Sequence, residues 1–215
     1  MRIASPAQLA SRLDKNLAWR KQELTQLKFL ADSASAQNAR VLRRAGIGLL
    51  YAHWEGFVKD TSNSYLKYLA RGTMEVGKLK SCFVAIALSG DILSAGQAKK
   101  TSSHARLVDI VRDLGTPPPA TKRIPTKGVI STRSNLKGEV LREIAATLGI
   151  DYAPFALKEK PVIDRLVQYR NSIVHGKGLP IQQNEYEELH REIISLMDTY
   201  KDLIQDAADG DGHLR

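Results

Sequence analysis

Leu9, Leu13, Leu17, Leu24, Leu27 and Leu30 recur at steps of three, four and seven residues. That is the period of a single helix face. Ser5 followed by Pro6 supplies an N-cap and a proline at the first helical position. The spacing predicts a long amphipathic helix from Pro6 to about Ala31. A second helix is expected over residues 38–70, before Gly72, with Leu42, Ala45, Leu49, Trp54, Phe57, Val58, Tyr65 and Leu69 on its inner face. Residues 79–93 read as a largely buried helix, and 107–114 as a shorter one closed by Gly115. Residues 115–138 carry Pro117, Pro118, Pro119, Pro125 and Gly128, and this segment cannot be one helix. Helix resumes over 139–148 and stops at Gly149. It returns over 161–175, with Gly176 and Gly178 as stop signals. Asn184 is the expected cap of a last helix to about Asp206, and residues 207–215 are expected to fray. The pattern predicts an all-α chain, one helical domain over 1–215 with an irregular insertion at 115–138.

Composition narrows the class. In 215 residues, 43% are hydrophobic and 26% charged, which excludes bulk disorder and collagen-like repeats. Cys82 is the single cysteine, so neither an internal disulfide nor a CxxC zinc site can form. One free thiol suits a reducing cytoplasm, the expected location. The best uncharged apolar run, 82–88, is far too short to span a membrane, and the N-terminus lacks the apolar stretch of a signal peptide. His53, His104, His175, His190 and His213 show no HExxH or other close pairing. No GxSxG elbow and no GxxxxGK[ST] loop is present. No metal and no cofactor is therefore expected.

The net charge of +9 and pI near 9.7 point to polyanions, with nucleic acid the usual candidate, or simply to solubility. More than half of that charge lies in 120–142, where Lys122, Arg123, Lys127, Arg133, Lys137 and Arg142 face Glu139 alone. Lys122, Arg123, Lys127, Arg133 and Lys137 are candidate phosphate-backbone contacts. The alternative is a solvated basic loop.

The segment with most chemistry is YRNSIVHG, residues 169–176. Arg170 falls on the apolar stripe of Ile163, Leu166, Val167 and Val174. Asn171 and His175 are four apart, one helical turn, and within hydrogen-bonding reach. Arg170 lies about 100° round from Asn171. A guanidinium forks onto two phosphate oxygens, and an imidazole titrates near neutral pH. The same three residues could instead form a buried network between the last two helices. Glu55, in LLYAHWEGFVKD, is a carboxylate among packed residues. It has two candidate partners, Arg170 and Lys59 at i+4, besides a basic group across a dimer. Trp54 and Phe57 read as core, and Gly46 and Gly48 as sites of close helix packing.

RNSIVHG resembles the RNxxxH signature of the HEPN superfamily (higher eukaryotes and prokaryotes nucleotide-binding), in which Arg is followed after four to six residues by His. LLYAHWEGFVKD resembles the second-helix signature of the bacterial MAE and RiboL-PSP types. STRSNLKGEVLREIAATLGI, followed by IDRLVQYRN, is similar to that branch too. The resemblance runs from about Arg40 to Leu203. It implies a HEPN-type helical bundle, here with extra helices, that forms a homodimer. It implies a metal-independent endoribonuclease acting on RNA, in a toxin–antitoxin or anti-phage defence setting, with a cognate antitoxin or a defence ATPase as partner. Arg170, Asn171 and His175 fall on the catalytic positions, with Glu55 as a further candidate. Some members of the superfamily only bind nucleotides or proteins, and the alternative here is a non-catalytic module that binds nucleic acid or a partner protein.

Overall fold

The computed structural model describes residues 3–113 and 121–215, and nearly all of its regular structure is helix. Helix α1, Pro6–Ser33, begins as the sequence indicates: the Ser5 hydroxyl accepts from the Gln8 amide at 3.2 Å and Pro6 takes the first helical position. Helix α2, Ala36–Leu69, is 34 residues long, about 50 Å. It is the central element, packed against α1, against α8 (Arg165–Val174) and against α9 (Gln183–Asp209). Between α2 and α8 lie α3 (Ser81–Ala87), α4 (Ser89–Gln97), α5 (Thr101–Asp113), α6 (Gly138–Leu148) and the single turn α7 (Ala153–Ala156). The strand segments β1 (Met74–Glu75) and β2 (Thr121–Lys122) pair antiparallel, with Met74 opposite Lys122. This is an all-α bundle, the class that the sequence pattern predicts. Among the described residues, no helix is long and apolar enough to cross a membrane.

One core runs through the molecule, centred on Trp54, Phe57, Tyr65, Tyr186 and Tyr200. Because α2 meets three helices, it buries more than one face. Leu50, Tyr51 and Leu66 join Trp54, Phe57 and Val58 inside, while Ala45, expected on the inner face, is exposed. Gly46 does allow close packing: a Cβ there would meet the Tyr186 hydroxyl at 2.5 Å. Gly48 faces open space. Leu30 is 56% exposed, while its neighbour Ala31 is buried at 2%, so the packed face of α1 at this end passes through Ala31 rather than Leu30.

Other expectations change. Residues 79–93 are not one buried helix: the chain breaks at Leu88, and Ile92 and Leu93 are exposed. The helix expected from 107 begins earlier, at Thr101, while its expected end at Leu114 and Gly115 and the Pro117, Pro118 and Pro119 cluster lie outside the described residues. Helix α9 is capped by Gln182 rather than Asn184, in a capping box with Glu185. The C-terminal tail does not fray. The Lys80 amide donates to the His213 carbonyl at 2.9 Å, the Arg215 amide donates to the Lys78 carbonyl at 3.0 Å, and His213 is buried. Residues 121–137 are irregular but anchored, with Ile124, Ile130 and Leu136 inserted in the core.

Candidate active site

The segment read as one helix over 161–175 is a π-helical turn, Glu159–Asp164, leading into α8. Pro161 has no amide to donate, and the Ile163 amide reaches back five residues to the Lys158 carbonyl at 3.1 Å. Helix α8 carries the motif at its C-terminal end. Gly176 takes a left-handed φ of 71°, its amide donates to the Ile173 carbonyl at 3.0 Å, and the Lys177 amide donates to the Ser172 carbonyl at 2.9 Å. These two bonds close a Schellman motif with His175 as the C-cap. Downstream, Arg44 donates to the Leu179 and Lys177 carbonyls at 2.7 and 2.9 Å, and Arg43 donates to the Ile181 carbonyl at 3.0 Å. Both faces of the His175 turn are thus fixed, one by its own helix and one by α2.

Arg170 is half-buried. Its guanidinium lies over the Tyr51 ring, Cζ 5.0 Å from the centroid, and Nη1 donates to Asn171 Oδ1 at 2.9 Å. Asn171 therefore serves Arg170. Its link to His175 is through the backbone alone, the His175 amide donating to the Asn171 carbonyl at 3.0 Å. The His175 imidazole is exposed and has no hydrogen-bond partner among the described residues. Val174, expected on the buried seam with Arg170, is 61% exposed, because the seam ends where α8 leaves α2.

The α2 motif divides by face. Trp54 and Phe57 are fully buried in the core. Gly56 faces α1, where a Cβ would sit 3.0 Å from the Arg20 guanidinium. Buried Arg20 is held there by Asp60 at 2.8 Å, Asn16 at 3.0 Å and the His53 carbonyl at 3.3 Å, and His53 Nε2 lies 2.6 Å from Glu23. Glu55 alone of the four points toward the motif helix. It makes no ion pair among the described residues, with neither Lys59 nor Arg170. Instead it approaches the Tyr51 hydroxyl, whose ring Arg170 covers. Burial, with this carboxylate as a smaller contribution, pushes the Tyr51 hydroxyl up to about 12.

Tyr51 is the residue that sequence reasoning missed. Its spacing of four before Glu55 was visible. Its contact with Arg170 joins two segments more than a hundred residues apart, and no local pattern reports that.

The basic candidates separate in space. Lys137 shares a cleft with Asn171 and Gln168, walled by Arg142, Lys160, Glu139 and Asp164. Arg133 is exposed in the turn that leads to it. Lys122 is paired with Asp91 at 3.0 Å. Arg123 lines another cleft with Lys67 and Arg71, and Lys127 a third with Cys82 and Glu143. Among the described residues, no group of three His, Cys, Asp or Glu side chains is placed to hold a metal ion.

Comparison with known proteins adds one finding. No curated protein and no solved structure matches the chain. The family model described as RiboL-PSP-HEPN matches residues 15–206, which takes in the α2 motif, the 131–137 turn and the end of α8. The chain belongs to the RiboL-PSP-HEPN family, within the HEPN superfamily.

Proposed function

We propose that the protein is a metal-independent endoribonuclease of the HEPN type, acting as a toxin or anti-phage defence effector. Family membership carries the coarser reading, a nuclease or nucleic-acid-related role. The observation that supports the finer one is the helix end itself: a guanidinium held by Tyr51 and Asn171, one turn from an exposed imidazole.

RNA brings its own nucleophile. The 2′-oxygen attacks the adjacent phosphorus and gives its proton to a base. The bond from phosphorus to the 5′-oxygen breaks, and that oxygen takes a proton from an acid. The products are a 2′,3′-cyclic phosphate and a 5′-hydroxyl. Arg170 would clamp the phosphate and its developing charge. His175 would carry the proton. One chain has one motif imidazole, whereas the reaction uses a base and an acid. A two-fold dimer that brings two α8 ends together supplies both. The exposed Val174 beside His175 offers such a contact an apolar surface. Lys137 and Arg133 would hold the flanking backbone. A cognate antitoxin or defence ATPase is the expected partner.

The test is cleavage of an oligoribonucleotide in EDTA. Arg170→Ala and His175→Ala should each lower the rate by about 10²-fold or more; the exposed His175 ring is not part of the packing, and a thermal melt checks that Arg170→Ala, which uncovers the Tyr51 ring, is still folded. Full activity in either variant, or loss of activity with chelator, refutes the reading. Wild type and His175→Ala that are tolerated equally on expression would favour the non-catalytic module instead.

A further inference from the structure

We propose that Tyr51 is the positioning residue of Arg170, and that its hydroxyl locks the 131–137 turn into the same site. The proposal rests on the ribonuclease reading for its kinetic consequences, and on geometry for the rest.

Tyr51 is 2% exposed, yet each end of its side chain meets a different part of the site. The ring carries the Arg170 guanidinium, its Cζ 5.0 Å from the ring centroid, a cation–π contact that holds the fork over the ring. Asn171 takes one nitrogen at 2.9 Å, which leaves the remaining donors of the fork for an anion. The hydroxyl accepts the Leu136 amide at 2.9 Å and faces the Glu55 carboxylate. A tyrosine buried in this way keeps its proton through the neutral range, and its neutral hydroxyl accepts from the Leu136 amide beside the Glu55 carboxylate.

Leu136 belongs to an unusual turn. Arg133 and Ser134 both adopt left-handed φ, 48° and 68°, with no glycine between them. The turn is closed by the Asn135 amide on the Thr132 carbonyl at 3.0 Å and the Lys137 amide on the Asn135 carbonyl at 2.9 Å. Thr132 and Leu136 are buried at its two feet, and Arg133 and Lys137 project outward. Two consecutive left-handed residues persist only where the surroundings hold them. The Tyr51 hydroxyl is one such holder, and Lys137 then stands in the cleft that Asn171 lines. Tyr51 thereby sets the phosphate clamp with its ring and the flanking cations with its hydroxyl.

The two functions separate by substitution. Tyr51→Phe keeps the ring and removes the anchor. Faster amide exchange is expected across 132–137, with KM raised several-fold and kcat within about threefold of wild type. Tyr51→Leu removes both, and kcat should fall at least tenfold as well. Should Tyr51→Leu not fold, phenylalanines of increasing ring fluorination at 51 provide the second series: kcat should decline stepwise as the ring face loses its negative charge. Unchanged exchange in Tyr51→Phe would overturn the anchor. A flat fluorination series, or wild-type kcat in Tyr51→Leu, would overturn the positioning of Arg170. If wild type cleaves no RNA, the ribonuclease reading fails while the proposal is still decided on the free protein. There the exchange data test the anchor, and the Arg170 Hε resonance, shifted by ring current in wild type and Tyr51→Phe but not in Tyr51→Leu, tests the ring contact.

Discussion

At the residue scale, the chemistry depends on how a few side chains are immobilised. Gly176 is the plainest case, because its left-handed backbone ends α8 and sets His175 as the cap. Gly176→Ala places a Cβ where it costs about 1–2 kcal/mol. Thermal melting should drop by roughly 2–8 °C for a chain of this size, and cleavage should fall further than stability does, because the Schellman closure that fixes His175 loosens. Buried histidines set a pH dependence. Burial, first among the causes, holds His53, His190 and His213 below the usual imidazole range. The folded state then takes up protons less readily than the unfolded chain. Stability is complete above the unfolded value, near 6.5, and is lost as pH falls from there through the lower folded values. Denaturant midpoints at pH 7.5 and 5.5 check the sign: the midpoint should be lower at 5.5, and a higher one would contradict it. Arg170 and His175 could be nominated from the sequence because the motif spacing is local. That Asn171 serves Arg170 rather than His175, and that Arg170 lies over Tyr51, was not legible there, since helical spacing allows either hydrogen bond and reports no long-range contact.

At the element scale, periodicity identified the long helices and failed where elements are short. The start of α1 followed from Ser5 and Pro6, and α6 stops at Gly149, whose φ of 63° is the expected left-handed cap. The break at Leu88 between α3 and α4 is announced only by Ser89 and Gly90, a weak signal inside an otherwise helical pattern. The tail departs from its expectation for a different reason: its polar composition suggests fraying, but the backbone pairings of His213 and Arg215 with Lys80 and Lys78 are long-range. Helix α6 is held to the π-helical turn by two carboxylates, Asp164, which accepts from the Gly138 amide at 2.9 Å, and Glu159. Glu159 accepts from Arg142 and from the Tyr152 hydroxyl at 2.8 Å, and a Cβ at Gly138 would fall inside its side chain. Gly138→Ala should therefore destabilise by about 1–3 kcal/mol as the packed carboxylate is displaced. A chemical-denaturation curve checks this, and an unchanged midpoint would show that Glu159 moves aside freely. The same variant should disturb the cleft shared by Lys137 and Asn171, so weaker binding of an uncleavable oligonucleotide is expected with it.

At the scale of the whole molecule, α2 explains why the two motifs belong together. Its buried face carries Trp54 and Phe57 into the core, its α1 side clamps Arg20, and Tyr51, with Glu55 one turn on, is left on the Arg170 side. The all-α class and the basic balance were legible in composition. The separation of the basic residues was not: Lys122 is neutralised by Asp91, while Lys137 stands beside the motif. Charge reversal at Lys137 should weaken oligonucleotide binding and flatten its salt dependence, whereas reversal at Lys122 should do so much less. Light scattering should give about twice the 23.8 kDa chain mass, since one motif imidazole per chain calls for two chains. The central claim is that this helix end cleaves RNA through the substrate's own 2′-hydroxyl. The most direct measurement uses an oligoribonucleotide carrying a single 2′-deoxy nucleotide at the preferred cut, incubated with the wild-type protein in EDTA. Cleavage should stop at that position alone, and the unmodified strand should yield a 2′,3′-cyclic phosphate and a 5′-hydroxyl. Cleavage that continues at the deoxy position, or fragments ending in 5′-phosphate, would contradict the account.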